Sequence, residues 1–150
     1  MMIMIALLVA LVSPTATERT AIFKAAGFRR VGPHWKTDCD YSGKASYGPG
    51  AIKAFGDLNG DGRPEAIVTE GSTYCYGMTG MGFTVLTKSP RGPWTKLYQS
   101  PGMPHILKTR ANGWPEIEVG VPGMCIPILR WTGKAYAIHR RHNAGKPCRP

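Results

Sequence analysis

The sequence predicts a mainly β protein made of two propeller-blade-like antiparallel units, with one short N-terminal helix after a signal peptide. Two observations favour strands over a helical bundle: 19 glycines and 13 prolines occur in 150 residues, and short apolar runs lie between turn residues. A third is a segment that recurs at an offset of 51 residues. The length allows one ordinary domain, and an apolar content of 43% is enough for a core.

The N-terminus has the pattern of a signal peptide. Residues 1–12 are almost wholly apolar, and small or polar residues follow up to Thr17. An apolar run of about 12 residues is shorter than the roughly 20 that a membrane span needs. We therefore predict a signal peptide over residues 1–16 and an exported mature chain, 17–150, without a transmembrane span. A buried N-terminal strand is the alternative, because no Lys or Arg precedes the apolar run.

The mature chain is expected to begin with a helix over residues 17–27. Thr17 is a suitable N-cap and Gly27 a suitable C-terminal stop. One apolar stripe at helical spacing, expected to cover a sheet, consists of Ile22, Phe23 and Ala26. Two short strands follow, over residues 28–31 and 35–39, and residues 40–50 have the composition of a loop.

The repeat defines the rest of the chain. Residues 61–68 match residues 112–119, and a Trp beside a Gly with a later Tyr follows in each copy. A period near 50 residues is the size of a propeller blade. The predicted single domain therefore contains two units, about 51–102 and 103–141. The strands expected in the first unit are 51–55, 66–69, 74–76, 83–87 and 95–99.

Four cysteines indicate disulfide bonds. They are Cys39, Cys75, Cys125 and Cys148. An even number in a small exported domain favours disulfides. The sequence has no Cys-x-x-Cys pair of the kind that indicates a zinc site. Four cysteines allow three pairings. If the two units are equivalent, Cys75 and Cys125 lie at matching strand ends, which favours Cys75–Cys125 together with Cys39–Cys148.

One loop carries the chemistry of a metal site. Its alternating oxygen side chains are Asp57, Asn59, Asp61 and Glu65, and the carbonyl of Arg63 lies between the last two. Calcium binds six to eight such hard oxygen ligands. The apolar residue at position 12 of the loop excludes an EF-hand. The alternative is a metal-free hairpin, since Asn-Gly and Asp-Gly are strong turn signals.

This loop resembles the calcium loop of FG-GAP repeats, also called VCBS-type or integrin-α-like repeats. The resemblance covers about residues 51–99, with a degenerate second copy over 103–139. It implies a loop between two strands that binds one calcium ion through the four side chains and the Arg63 carbonyl. In the second copy Lys108 and Arg110 take the places of the first two ligands, so that copy is expected to bind none.

More loosely, the mature chain is similar to small exported bacterial proteins, a resemblance that implies no reaction. No nucleophile elbow, zinc-protease motif or P-loop occurs in the sequence. The four histidines lack metal spacing. Five aromatic residues form either an exposed surface or core packing: Tyr41, Tyr47, Tyr74, Tyr76 and Trp94.

The positive charge indicates either a solvated basic surface that keeps the protein soluble or a surface that binds an anionic partner. The net charge is +10, and no acidic residue follows Glu118. Such a basic C-terminal stretch suits envelope lipid, polysaccharide or an acidic protein, whereas export argues against nucleic acid. We expect an exported, calcium-stabilised, non-catalytic binding or envelope-structural module. The alternatives are a secreted inhibitor or immunity-type protein that blocks an acidic enzyme and, third, a hydrolase with a metal-bound water.

Overall fold

A computed structural model describes residues 12–41, 46–123 and 125–150, and within them the chain is mainly β, as predicted. The elements are α1 (Ala16–Ala25), β1 (Arg29–Val31), β2 (His34–Lys36), β3 (Tyr47–Gly56), β4 (Glu65–Ser72), α2 (Thr73–Tyr76), β5 (Met81–Lys88), β6 (Trp94–Pro101), β7 (Met103–Ala111), β8 (Trp114–Gly120), β9 (Ile126–Trp131), β10 (Tyr136–Asn143) and β11 (Lys146–Pro147). Most of the predicted signal peptide, residues 1–11, lies outside the described residues. Among those described, no helix is long and apolar enough to cross a membrane.

The strands form three antiparallel sheets. β1 and β2 make a hairpin, and β3, β4, β5 and β6 follow one another in a four-stranded sheet, here called the first sheet. β7 to β11 are also neighbours in chain order and form the five-stranded second sheet. The first and second sheets are therefore runs of consecutive hairpins, and each of the two contains one copy of the sequence repeat.

Helix α1 confirms the predicted helix but not its cap. The side chain of Thr15 accepts a hydrogen bond from the N–H of Glu18, whose carboxylate accepts one from the N–H of Thr15, both at 3.1 Å. This capping box starts the helix two residues before the expected Thr17. Signal-peptide processing after Ala16 would remove it.

The molecule has three layers, and β4 lies in the middle. Successive side chains of a strand point to opposite faces. Ala66 and Val68 therefore pack with Phe23 of α1 and Trp35 of β2, whereas Ile67 packs against the second sheet. Burial on both faces explains why β4 is a continuous apolar run rather than an alternating one.

The two sheets pack face to face through a separate core. The first sheet contributes Ile67, Phe83 and Val85, and the second contributes Ile117, Val119, Leu129 and Tyr136. These side chains are at most 6% exposed. The sheets are therefore joined by an apolar interface.

Residues 74–76, predicted as a strand, form the helical turn α2 instead. The hydroxyl of Ser72 accepts a hydrogen bond from the N–H of Cys75 at 3.2 Å, which caps the turn. Gly77 follows with a φ of 55°, a conformation that glycine adopts without strain, and ends it. Local capping therefore overrides the strand propensity of the two tyrosines in this segment.

The predicted disulfide pairing is wrong. The structure joins Cys39 to Cys75 and Cys125 to Cys148, with Cα atoms 5.5 and 5.8 Å apart. Cys75 lies in α2 beside the chain that leaves β2, so it does not occupy a strand end equivalent to that of Cys125. The β10–β11 hairpin turns Cys148 back beside the start of β9. Neither bridge links the two sheets.

Close packing of the α1 layer on the first sheet predicts a large effect at one glycine. A Cβ atom at Gly50 would lie 2.6 Å from a ring carbon of Phe28 and 2.9 Å from one of Phe23. Gly50→Ala is therefore expected to lower the free energy of unfolding by about 1–3 kcal/mol through overpacking. Chemical denaturation measures the change. Gly48→Ala is the matched control in the same strand, since its nearest neighbour would be 3.7 Å away; an equal loss in both variants contradicts the packing explanation.

Candidate metal centre and buried carboxylates

The predicted metal loop connects β3 to β4 and folds around the carboxylate of Asp57. One oxygen of Asp57 accepts hydrogen bonds from the N–H groups of Gly60 (2.8 Å) and Asp61 (3.2 Å). The other accepts one from the N–H of Gly62 at 2.8 Å. The Gly62 bond, with those from the other amides, holds the pKa of Asp57 below its usual value. Asp57 is therefore a carboxylate around which the loop backbone is ordered.

One side-chain oxygen of Asp57 and the side-chain oxygen of Asn59 point towards the same backbone amide. Both accept a hydrogen bond from the N–H of Asp61, at 3.2 and 3.1 Å. One oxygen of Asp61 accepts the N–H of Arg63 at 2.7 Å, and the other lies 2.9 Å from the Arg63 guanidinium. Several hard oxygen atoms therefore lie close together in this loop, and the guanidinium of Arg63 contacts one of them.

Glu65 lies beneath the loop and is completely buried. One of its oxygens accepts hydrogen bonds from the N–H groups of Leu58 (2.7 Å) and Asn59 (3.3 Å). The other accepts the hydroxyl of Thr87 at 3.0 Å. Burial raises the pKa of Glu65 above its usual value despite these bonds. In this arrangement Glu65 supports the loop backbone from below.

Four of the five predicted metal residues, Asp57, Asn59, Asp61 and Arg63, lie in the loop between β3 and β4, and the fifth, Glu65, is the first residue of β4. Within the described residues, it contains no group of three His, Cys, Asp or Glu side chains arranged around a common metal position. Of the loop carboxylates, Asp57 and Asp61 lie in the loop itself, whereas Glu65 contacts its backbone from the core side.

The equivalent position of the second sheet holds another buried carboxylate, Glu116, which sequence reasoning missed. It lies 51 residues after Glu65 and is 1% exposed. Arg140 and Arg130 contact its carboxylate at 2.7 and 3.1 Å. Burial alone would raise the pKa of Glu116, but hydrogen bonds from Arg140, Thr109 and Arg130 outweigh it and lower the pKa to about 2.

The second copy has a tight turn where the first has the metal loop. Asn112 and Gly113, both with positive φ, connect β7 directly to β8. Lys108 and Arg110 consequently lie in a strand. The guanidinium of Arg110 donates to the carbonyls of Leu58 (2.7 Å) and Gly113 (3.0 Å). Arg110 thus joins the β7–β8 hairpin, here called the second hairpin, to the backbone of the predicted metal loop, the first loop.

A third buried carboxylate, Glu70, also escaped the sequence analysis. Its oxygens contact the hydroxyls of Thr37 (2.7 and 2.9 Å), Tyr47 (2.9 Å) and Tyr76 (3.1 Å). Burial, together with the nearby carboxylate, raises the pKa of both tyrosines to about 12. These tyrosines therefore belong to a polar network that ties the segment after β2, together with β3 and α2, to β4.

The other candidate aromatic residues separate into two environments. Trp94 lies in the core with α1. Tyr41 and Tyr74 are 53% and 59% exposed and stack at a centroid distance of 4.8 Å. Their neighbours Cys39 and Cys75 form the first disulfide, which fixes the backbone on either side of the pair. Only these two of the five predicted aromatics form an exposed surface.

Comparison of the chain with known protein families, with curated proteins and with solved structures finds no match.

Proposed function

We propose that this protein is an exported, non-catalytic binding or envelope-structural module whose first loop binds one calcium ion. The observation that carries the proposal is the convergence of the Asp57 and Asn59 oxygens on the amide of Asp61. Two side-chain oxygens that point towards the same position are suited to a cation, and calcium prefers such hard oxygen ligands.

The donor set fits calcium better than a transition metal. The loop offers carboxylate, amide and carbonyl oxygens, which are hard ligands, and no sulfur or imidazole. Asp57, Asn59 and Asp61 would bind through their side chains and Arg63 through its carbonyl, with water completing the shell. The ion would then replace the Arg63 guanidinium at Asp61. A ligand role for Glu65 stays a prediction, since it requires the carboxylate to release the loop amides.

The rest of the chain supports a structural role for this loop. Glu65 supports it from the core, and Arg110 ties it to the second hairpin. Calcium bound here would therefore stabilise the junction between the two sheets, which we interpret as two blade-like units. Both disulfides are compatible with export. Exposed cations of the second sheet, its turns and its tail supply positive charge for anionic envelope ligands: Lys134, Lys146 and Arg149.

One observation favours the second candidate function, a secreted inhibitor or immunity-type protein. Tyr41 and Tyr74 are exposed, stacked and flanked by a disulfide. Rigid tyrosines bury a large area at little entropic cost and are enriched at the centres of protein interfaces. Binding of the pure protein to anionic vesicles or polysaccharide would support the module. A stoichiometric complex with one acidic enzyme, lost in Tyr74→Ala, would support the inhibitor.

Calcium is expected to raise the stability of the metal-stripped protein, and Asp61→Ala to abolish that response. At a free calcium concentration 100 times the dissociation constant, the gain in free energy of unfolding is about 2.7 kcal/mol. Titration calorimetry should show one site per chain, and the melting temperature should rise relative to a sample in EDTA. Asp61→Ala removes a central carboxylate, so neither signal should remain.

Asp38→Ala is the matched control, because it removes an exposed carboxylate outside the loop. Its calcium response should equal that of the wild type. If wild-type protein shows no heat of binding at millimolar calcium and an unchanged melting temperature, the metal-free hairpin is the better description of the loop.

A further inference from the structure

A second candidate site lies on the opposite side of the first sheet from the second sheet. Helix α1 and the β1–β2 hairpin enclose an open cleft of about 410 Å³. Arg19 and Thr20 of the helix line one side, and Arg30, His34 and Trp35 of the hairpin line another. Its volume falls within the range of about 300–1,000 Å³ that is typical of small-molecule sites.

The lining of this cleft is basic. Among the residues that the structure describes, it includes two arginines and a histidine and no carboxylate. Arg30 donates its Nε hydrogen to the carbonyl of Gly32 at 3.1 Å, an arrangement that leaves its terminal nitrogens available. The guanidinium of Arg19 lies 5.7 Å from the ring centroid of Phe23. Neither arginine forms an ion pair with the described residues, which cover every Asp and Glu of the chain.

This environment differs from that of the basic C-terminal strands. Arg130 and Arg140 share the carboxylate of Glu116, which neutralises part of their charge. Arg29, next to Arg30 in the chain, contacts Asp38 at 2.7 Å. Arg19 and Arg30 are therefore cations without a protein counterion that line one concave surface.

The wall that Trp35 contributes is part of the core. Its ring stacks on Phe23 at a centroid distance of 5.0 Å and an interplanar angle of 11°. Both side chains are at least nine-tenths buried. The cleft therefore has a packed aromatic wall beside two exposed cations, a combination suited to a ligand that has both an anionic group and a ring or carbon skeleton.

We propose that this cleft binds a phosphate- or sulfate-type oxyanion carried by a small molecule. A guanidinium presents paired N–H donors that match such an oxyanion and stays charged at every physiological pH. Thr20 and His34 offer further polar groups at the same surface. The proposal is independent of the calcium loop, because none of the residues 57–65 lines the cleft.

Titration calorimetry in calcium-free buffer, with inorganic phosphate, glucose 1-phosphate and glucose as probes, tests the proposal. We expect saturable binding of both phosphates with one site per chain and no binding of glucose. The indole N–H resonance of Trp35, assigned with Trp35→Phe, should shift during the titration. Arg19→Gln and Arg30→Gln should each weaken binding about tenfold or more, since each removes charge-assisted hydrogen bonds.

Arg29→Gln is the matched control: it removes the same charge from the adjacent residue, whose side chain does not line the cleft. Its affinity should stay within about twofold of the wild type. Equal weakening in Arg29→Gln and Arg30→Gln, or the absence of saturable binding, overturns the proposal. Tighter binding of glucose 1-phosphate supports an organic ligand, whereas equal affinities overturn that part and leave a site for the free oxyanion. Asp61→Ala should bind phosphate normally, which separates this test from that of the calcium loop.

Discussion

Replacing Cys39 and Cys75 together by alanine is expected to lower the free energy of unfolding by about 4 kcal/mol. The bridge closes a segment with a sequence separation of 36 residues. In the loop-entropy description, removing a bridge of that span stabilises the unfolded chain by about this amount. The same change releases the backbone beside Ser72, whose hydroxyl donates to the carbonyl of Cys39 at 2.9 Å. Urea denaturation under non-reducing conditions measures the effect.

The second bridge provides the comparison. Cys125→Ala with Cys148→Ala opens a segment with a separation of 23 residues, for which the same relation gives about 3 kcal/mol. Peptide mapping of the unreduced protein should recover Cys39 joined to Cys75. A peptide that joins Cys75 to Cys125, or a stability loss below about 1 kcal/mol in the first double variant, contradicts this prediction.

The sequence predicted the β architecture because that signal is local. Turn residues between short apolar runs mark the strands, and the offset of 51 residues corresponds to two sheets of consecutive hairpins. The amphipathic stripe of α1 likewise reported which face it buries. The strand predicted for residues 74–76 was wrong because the hydroxyl of Ser72 caps a helical turn there. Side-chain capping of this kind competes with strand propensity and depends on backbone direction.

The disulfide pairing was not predictable from the repeat. Equivalent positions in sequence need not be equivalent in space once one copy has a helical turn that the other lacks. α2 carries Cys75 to the chain after β2, whereas Cys125 precedes β9 directly. The pairing depends on which segments the folded sheet brings within bonding distance, and this is long-range information.

The candidate metal loop was predictable as a set of residues, but its hydrogen bonds were not. Spacing alone placed Asp57, Asn59 and Asp61 in one loop. The spacing could not show whether the Glu65 carboxylate takes part in the ligand set or hydrogen-bonds to the loop backbone. That depends on strand β4, in which Glu65 is the buried first residue. Glu70 and Glu116 carried a signal that was overlooked. Each is a glutamate within an apolar strand, a position where burial requires compensating partners.

Glu116→Gln is expected to lower the free energy of unfolding at neutral pH by about 3 kcal/mol. A glutamine retains the shape of the side chain but removes the charge that Arg130 and Arg140 contact, and breaking a buried ion pair typically costs 3–5 kcal/mol. The partly exposed arginines remain hydrated, so we expect the lower end of that range. Glu118→Gln is the matched control two residues along the same strand. Its carboxylate is 25% exposed and contacts His142, so its loss should stay below about 1 kcal/mol.

The pH dependence of stability provides an independent test of the same carboxylate. The pKa of Glu116 is about 2 in the folded protein, against an ordinary value of 4.5. Its contribution, on the order of 3 kcal/mol, is therefore complete above about pH 5 and declines as the pH falls through 4.5 towards 2. The difference in stability between wild type and Glu116→Gln should shrink over that interval. Denaturation curves between pH 7 and pH 2 measure it; a difference that stays constant over this interval means that the loss in Glu116→Gln does not come from the missing charge.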